Sequence, residues 1–187
     1  MGRRVAAAVR ALAGGALVVH PTDTLFALAA RACDRRAVAR LVAAKGRAEG
    51  RPLSVSVSSG EELERWGRLG PGARRWVRDR LPGPYTVLLE PTAEARRGLA
   101  DEVAGGRTVG LRVPDHPLAR ELARRAGPLV ATSANRSGEP PARAVAEARR
   151  SLGRTVAVYL DGPPRPSGVP STLVDLTRGR VRTVPRR

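Results

Sequence analysis

The chain has 187 residues, 34 of them lysine or arginine against 17 acidic residues, which gives a formal net charge of +17. This length is enough for one domain with a substantial core, and the charge attracts polyanions such as nucleic acids and phosphorylated small molecules. The single cysteine excludes an internal disulfide, and the two histidines lack metal-ligand spacing, so we expect a protein of the reducing cytoplasm.

Neither a signal peptide nor a membrane span is expected. Residues 1–12 interrupt an alanine-rich pattern with arginine, whereas a signal peptide has an uninterrupted apolar centre. No later segment is long and apolar enough to cross a bilayer. We therefore expect a soluble protein with no membrane partner.

Helical and strand-like patterns alternate along the chain, separated by turn signals. In order, they predict a helix over 4–12, a strand over 16–19, a helix capped by Asp34 through residue 44, a strand over 53–57, and helices over 61–69 and 73–81. Next come strands over 85–89 and 108–113, a helix over 115–126, a strand over 129–131, a helix over 142–152 and a strand over 156–160. Strands over 172–176 and 180–184, joined around Gly179, form a predicted hairpin.

This alternation predicts an α/β fold. The terminal hairpin and the strands beside it make the predicted sheet a mixed parallel and antiparallel one, open and accompanied by helices. The sequence contains neither an internal repeat nor a long disordered linker, so we predict a single domain over 1–187.

Polar residues collect where the predicted strands end, and in open α/β sheets such ends border the crevice that binds ligands. Cations there can neutralise phosphates or a carboxylate, and hydroxyl groups can donate to oxyanions. The cations are Lys45, Arg47, Arg51 and Arg112, and the hydroxyl groups are those of Thr24, Ser133 and Ser171. Each motif alone also fits a structural role: a turn at 22–23, a solvated strand residue at Arg112, or a helix cap at Ser133.

Two of these motifs contain residues that occur once in the chain. Lys45 is the sole lysine and Asn135 the sole asparagine. Because an arginine fork does not reproduce a compact ammonium charge at a phosphate, a phosphate site is a reason for a lysine to persist in so arginine-rich a chain. Cys33 and Phe26 are also unique, so rarity alone does not decide the matter.

Several familiar sites are excluded. Lys45 follows residues 42–44, Val-Ala-Ala, so no P-loop is present, and no G-x-G-x-x-G fingerprint occurs. A serine hydrolase needs a histidine base and a G-x-S-x-G elbow. His20 and His116 both precede prolines, and no such elbow accompanies either one.

Taken together and in this order, the motifs resemble those of the YrdC/TsaC family of threonylcarbamoyl-AMP synthases. They span nearly the whole chain, and several spaced motifs in order are far more specific than any one of them. The matching segments are 20–28 (HPTDTLFAL), 45–47 (KGR) with Pro52 and Leu53, 82–86 (PGPYT), 109–114 (VGLRVP), 131–138 (ATSANRSG) and 170–175 (PSTLVD).

The resemblance implies a twisted, mixed α/β sheet of the YrdC type around a large, positively charged cavity. It also implies a nucleotidyltransferase that converts L-threonine, bicarbonate or carbon dioxide, and ATP to threonylcarbamoyl-AMP and pyrophosphate. In this family the product passes to a separate transferase complex, which modifies the adenosine beside the anticodon of certain tRNAs. Whether the chain also contacts tRNA directly stays open.

The resemblance also assigns residues to the two substrates. Threonine is expected at Thr24, Ser56, Arg112, Ser133 and Ser171, with Arg112 binding its carboxylate. ATP is expected at Lys45, Arg47, Arg51, Thr108, Asn135, Arg143 and the C-terminal Arg186. The residues expected closest to the chemistry are Lys45, Arg47, Ser133 and Asn135.

Magnesium is the expected cofactor, since ATP chemistry needs its charge neutralised. Asp23 is the one carboxylate prominent in a motif, and no group of residues has the pattern of a metal cage. We therefore expect the ion to be held mainly by the phosphates of ATP.

The chain departs from the family pattern at three places. Phe26 and Ala27 stand where the family commonly has Tyr-Gly, and Ser56 stands where it often has a histidine in the threonine pocket. The C-terminal arginine-before-glycine pattern is also blurred, and Arg186 is the candidate there. The length matches the short form of the family, without the extra C-terminal domain of the longer branch.

Two alternatives from other classes stay open. One is a basic RNA-binding module of the same fold without catalysis, although aromatic residues, at 3%, offer few stacking platforms for bases. The other is a carbamoyl-transfer domain acting on carbamoyl phosphate and ATP, like those inside hydrogenase-maturation proteins.

Overall fold

The computed structural model describes residues 2–46, 53–177 and 181–185. Its α-helices are α1 (Gly2–Ala13), α2 (Arg35–Lys45), α3 (Gly60–Trp66), α4 (Pro71–Arg80), α5 (Ala93–Gly98), α6 (Asp101–Ala104), α7 (Pro117–Ala126) and α8 (Val145–Leu152). Its strands are β1 (Leu17–Pro21), β2 (Phe26–Arg31), β3 (Ser54–Ser56), β4 (Gly67–Arg68), β5 (Tyr85–Pro91), β6 (Val109–Arg112), β7 (Leu129–Ser133), β8 (Val156–Tyr159), β9 (Thr172–Asp175) and β10 (Arg182–Val184). In these ranges, no helix combines the length and apolar character that crossing a bilayer requires.

The strands form an open sheet in the order β10-β9-β5-β6-β3-β7-β2-β1-β8, and β4 pairs with β5 outside this path. The pairs β1–β8, β3–β6 and β5–β9 are parallel, and the other pairs are antiparallel. The predicted mixed α/β sheet is therefore confirmed. The antiparallel pairing of β9 with β10 confirms the terminal hairpin, while its turn at Gly179 lies outside the described residues.

Apolar cores lie on both faces of the sheet. Val18 and Val19 are neighbours in β1 but belong to different clusters, because successive side chains of a strand point to opposite faces. Val18 packs in the smaller cluster with residues of α1 and α7, such as Leu12 and Leu122. Val19 belongs to the larger cluster, which contains Leu41 of α2. The helices thus cover both faces, and a cavity opens where the strands end.

Most predicted elements are confirmed, with small shifts of their bounds. The prediction for 61–69 is wrong at its end, because α3 stops at Trp66 and the chain continues as β4. A Cβ atom at Gly67 would lie 2.6 Å from Leu89 Cδ1 and 2.8 Å from Leu111 Cδ1, so this glycine permits a close approach to the sheet. The helix predicted over 142–152 begins only at Val145.

The sequence did not predict β2, β4, α5 or α6. In β2, residues 26–30 are all buried and three of them are alanine, so the strand shows neither the alternation nor the β-branched composition typical of a strand. The helices α5 and α6 have only six and four residues, too few for an amphipathic period to stand out.

Candidate active site

A cavity of about 270 Å³ opens at the ends of the central strands. Strand register brings its walls together: Ser56 lies opposite Arg112 in the parallel pair β3–β6, and Ser133 lies opposite Ala27 in the antiparallel pair β2–β7. Hydroxyl groups dominate its polar lining. The hydroxyl-bearing residues that line it are Thr22, Thr24, Ser54, Ser56, Thr86, Thr132, Ser133 and Ser171.

Arg112 is the cation in the described lining of this cavity. It ends β6, is 9% exposed, and donates from Nη1 to Thr24 Oγ1 at 2.7 Å and from Nη2 to Asp23 Oδ1 at 2.5 Å. Burial lowers the pKa of Arg112, and the charge and hydrogen bond of Asp23 oppose that shift. Arg112 Nε and Asp23 Oδ2 are buried and lack a hydrogen-bond partner among the described residues. This guanidinium is therefore fixed in orientation and lines the cavity.

A tight turn holds these partners of Arg112 in place. Thr22 Oγ1 accepts from the backbone N–H groups of Thr24 and Leu25, each at 3.2 Å, and donates to Leu25 O at 2.8 Å. The segment before β9 is tied to the same turn, since Ser167 N donates to Asp23 O and Gly168 N donates to Thr24 O. The turn at 22–23, which the sequence offered as a structural role for these residues, is thus present. This turn also lines the cavity.

Lys45 meets Ser133 and Asn135 beside the cavity. Asp34 caps α2 at its start, and Gly46, in the left-handed region at φ 57°, ends the helix directly after Lys45. Lys45 is 3% exposed, and its Nζ donates to Ser133 O at 2.7 Å and to Asn135 O at 2.8 Å, with Ser133 Oγ at 3.3 Å. The sole ammonium side chain and the sole asparagine therefore converge, as their motifs predicted.

Asn135 also borders a wider cleft of about 630 Å³ that adjoins the cavity at Pro141. Its Nδ2 donates to Arg136 O and Glu139 O, while its Oδ1 is buried and has no hydrogen-bond partner among the described residues. The exposed side chain of Arg143 lines the same cleft. This cleft gives a larger ligand room beside the hydroxyl-lined cavity.

The structure brings most of the predicted site residues together. The residues assigned to threonine all line the cavity: Thr24, Ser56, Arg112, Ser133 and Ser171. Phe26 and Ala27, two of the departures from the family pattern, line it as well. Lys45 and Thr108 are absent from the described lining of both the cavity and the cleft, and the substrate assigned to each of these residues stays a prediction.

Arg47, Arg51 and Arg186 lie outside the described residues. Their assignments to ATP therefore stay predictions. The same holds for the predicted positive charge of the cavity as a whole, because Arg47 and Arg51 were among the cations expected there.

Sequence reasoning missed Thr86 as a site residue. Thr86 of β5 and Ser171, which directly precedes β9, are both buried, and their hydroxyl oxygens are 2.7 Å apart. Thr86 was part of the motif over 82–86, and it is the one hydroxyl side chain within the predicted strand 85–89 besides the phenol of Tyr85. A polar residue in an otherwise apolar strand was the available signal.

Two buried histidines lie near the Arg112–Asp23 pair. Burial, with smaller contributions from nearby His116 and Arg112, lowers the pKa of His20 to about 4, against the effect of a hydrogen bond with Pro21 O. Burial also lowers the pKa of His116, whose Nε2 lies 3.0 Å from Pro164 O. Both imidazoles are therefore neutral at pH 7. Among the described residues, no three His, Cys, Asp or Glu side chains group to hold a metal ion.

This arrangement defines a class of site: a small-molecule site for anionic groups, with a buried guanidinium, an ammonium and many hydroxyl donors on an α/β sheet. Comparison with known proteins narrows the class. A family model described as telomere recombination and named for Sua5, YciO and YrdC matches residues 10–187. The chain belongs to this Sua5/YciO/YrdC family.

Individual relatives agree with the family. The chain is 42% identical over 183 residues to a Mycobacterium tuberculosis protein, covering 97% of this chain and 83% of that one. It is 39% identical over 180 residues to the threonylcarbamoyl-AMP synthase of Chromohalobacter salexigens, covering 95% of each. The crystal structure of P. abyssi Sua5 complexed with L-threonine superposes with a TM-score of 0.87 at 31% identity. That match covers 96% of this chain but 52% of the other, so this chain spans about half of that protein's length.

Proposed function

We propose that this chain is an L-threonylcarbamoyladenylate synthase. It forms threonylcarbamoyl-AMP and pyrophosphate from L-threonine, bicarbonate or carbon dioxide, and ATP. Relatives that match nearly its whole length support this, one of them named threonylcarbamoyl-AMP synthase and another crystallised with L-threonine. The observation that carries the proposal is the convergence of Lys45, Ser133 and Asn135 beside the cavity that contains Arg112.

The smaller cavity is the proposed threonine site. The carboxylate of threonine binds Arg112, whose guanidinium is already oriented by Thr24 and Asp23. Ser171, held by Thr86, and Ser56 add hydroxyl groups that pair with the polar groups of the amino acid. Because the cavity is small and lined by short side chains, it suits an amino acid better than a nucleotide.

ATP is proposed to occupy the wider cleft, with its phosphates toward Lys45 and Asn135. Arg143 lies along this cleft, and Arg47, Arg51, Thr108 and Arg186 are assigned to ATP from sequence alone. Ser133 lines the threonine cavity and lies 3.3 Å from Lys45 Nζ, so it stands between the two substrates.

The chemistry needs alignment and charge neutralisation more than a protein nucleophile. The neutral amino group of threonine adds to carbon dioxide with release of a proton, or to bicarbonate with release of water, and an oxygen of the resulting carbamate attacks the α-phosphorus of ATP as pyrophosphate leaves. Lys45 stabilises the negative charge that develops on the phosphate oxygens, and Ser133 holds the two reactants at their junction. Arg112 keeps the threonine carboxylate away from the phosphorus.

Magnesium is proposed to accompany ATP, held mainly by the phosphates. Within the described lining, the cavity has no carboxylate, and Asp23 is engaged by Arg112. Glu139 and Glu147 border the cleft, but Glu139 accepts from Ser151 Oγ and Glu147 accepts from Arg143 N. Because these carboxylates already accept hydrogen bonds, they fit an ion bound to the nucleotide better than an ion held in a cage built by the protein.

The product is proposed to serve a separate transferase complex in the cytoplasm, which transfers the threonylcarbamoyl group to the adenosine beside the anticodon of tRNA. The net charge of +17 is compatible with direct contact with tRNA during that transfer.

The function is tested by incubating the purified protein with ATP, magnesium, L-threonine and labelled bicarbonate. We expect pyrophosphate release that depends on threonine and incorporation of the label into an adenylate. ATP turnover without threonine would instead favour a carbamoyl-transfer domain. Absence of turnover together with tight, salt-sensitive RNA binding would favour the RNA-binding module.

A further inference from the structure

The cation of the threonine cavity is already paired before any ligand arrives. The side chains of Arg112 and Asp23 are 11% and 14% exposed, and Arg112 Nη2 lies 2.5 Å from Asp23 Oδ1. Asp23 is absent from the described lining of the cavity, whereas Arg112 is part of it. The carboxylate therefore acts on a ligand through Arg112 and its charge, not by contact.

The two buried histidines near this ion pair add no charge to it. His20 is fully buried and uncharged, and the buried ring of His116 is uncharged at pH 7 as well. Among the described residues, the positive charge of Arg112 and the negative charge of Asp23 then cancel within this buried pair. A buried pair with no net charge favours a ligand that is itself neutral overall, because burying a net charge is costly.

We propose that Asp23 is a positioning residue that sets the ligand selectivity of the cavity: by neutralising Arg112 it admits zwitterionic amino acids and rejects simple anions. This inference rests on the proposed function, because it concerns the same threonine site. Threonine has no net charge, so its carboxylate gains the guanidinium hydrogen bonds without leaving a buried excess charge.

The need for such selectivity follows from the rest of the molecule. The chain has a formal net charge of +17, and its field concentrates anions near the surface. The proposed phosphate site at Lys45 lies directly beside the cavity, joined to it through Ser133. An unpaired guanidinium there would bind phosphate, pyrophosphate or the triphosphate of ATP and block the amino acid.

The test compares native protein with Asp23→Asn, which keeps the shape of the side chain and removes its charge. Calorimetry measures the affinity for L-threonine and for 2,3-dihydroxybutanoate, an anion that has a hydroxyl group in place of the amino group of threonine. A second series measures whether inorganic phosphate displaces threonine. This format detects phosphate in the threonine cavity and disregards phosphate bound at the proposed ATP site. Asp101→Asn is the matched control, because it removes a carboxylate from the exposed Arg35–Asp101 pair, with Nη1 and Oδ2 2.7 Å apart.

We expect native protein and Asp101→Asn to prefer threonine over the anion. Asp23→Asn should shift the threonine-to-anion affinity ratio toward the anion by at least about tenfold, and phosphate should displace threonine from it. An unchanged ratio, or phosphate that never competes with threonine, would overturn the inference. A loss of stability alone would not alter this ratio in folded protein.

Two further results separate this inference from the proposed function. If native protein does not bind threonine, the proposed function is wrong and the inference with it. If Asp23→Asn does not fold, the native protein still decides the point, because native binding of 2,3-dihydroxybutanoate as tight as that of threonine contradicts a neutral, zwitterion-selective site.

Discussion

Replacing Lys45 with arginine preserves its charge and should nevertheless disable the enzyme. The Nζ atom of Lys45 contacts Ser133 O at 2.7 Å, Asn135 O at 2.8 Å and Ser133 Oγ at 3.3 Å in a site where the side chain is 3% exposed. A planar guanidinium cannot direct one nitrogen to all three oxygens, and its extra atoms must enter closely packed surroundings. The substitution thus perturbs both the local packing and the proposed phosphate contact.

The effect on the rate follows from the proposed phosphate contact. A hydrogen bond from a charged donor contributes about 1.5–3 kcal/mol, so losing the contact between Lys45 Nζ and the phosphates in the transition state costs up to about 3 kcal/mol, or about 100-fold in rate. Overpacking of a buried site costs a further 1–3 kcal/mol of folding free energy, roughly. For a chain of this size, that lowers the melting temperature by about 2–10 °C.

The assay is threonine-dependent pyrophosphate release, measured well below the melting temperature of the variant. Arg40→Lys is the matched control, because Arg40 lies on the same helix α2 but donates to Gly15 O from Nε at 3.1 Å and Nη2 at 2.6 Å, away from the cavity. It should lower stability and leave kcat/KM close to native. If Lys45→Arg keeps native kcat/KM, the sole lysine has no role that depends on the shape of an ammonium group.

Three other substitutions test separate parts of the account. Arg112→Ala should raise the KM for threonine by about 100-fold and that for ATP by less than about threefold, and equal losses for both substrates would contradict its carboxylate role. Thr86→Val removes the hydroxyl that lies 2.7 Å from Ser171 Oγ, so the KM for threonine should rise about tenfold at most while the fold survives, as steady-state kinetics and circular dichroism would show. The pKa of His20 is 6.5 in the unfolded chain and about 4 in the folded protein. Between pH 6.5 and pH 4 the unfolded state therefore binds more protons, so the free energy of unfolding decreases as the pH is lowered through this range. Denaturant titrations at several pH values should show a loss of about 3 kcal/mol between pH 7 and pH 4 that His20→Asn reduces, and an equal loss in the variant would show that His20 is not its source.

The parts of the fold that sequence predicted are those with a local signal. Asp34 caps α2 by accepting a hydrogen bond from Ala37 N at 2.9 Å, and Gly46 ends the helix in the left-handed region. Both ends of this helix can therefore be predicted from the residues next to them. The strand β2 has no such signal, because its alanine-rich, fully buried run is specified by the strands on either side of it.

The candidate site divides in the same way. Lys45 and Asn135 were identified because each is unique in the chain and lies in a compact polar motif. The pairing of Asp23 with Arg112 joins residues far apart in sequence and depends on the sheet order, so neither residue type nor spacing predicts it. The sequence thus indicated the residues proposed to contact substrates more readily than a buried partner such as Asp23.

The most direct test of the central claim is a crystal structure with L-threonine and a non-hydrolysable ATP analogue bound together. The account predicts that the threonine carboxylate lies within hydrogen-bond distance of the Arg112 guanidinium, and that the phosphates lie on the side of Lys45 and Asn135. Phosphates bound to Arg112, or threonine bound outside the hydroxyl-lined cavity, would contradict it.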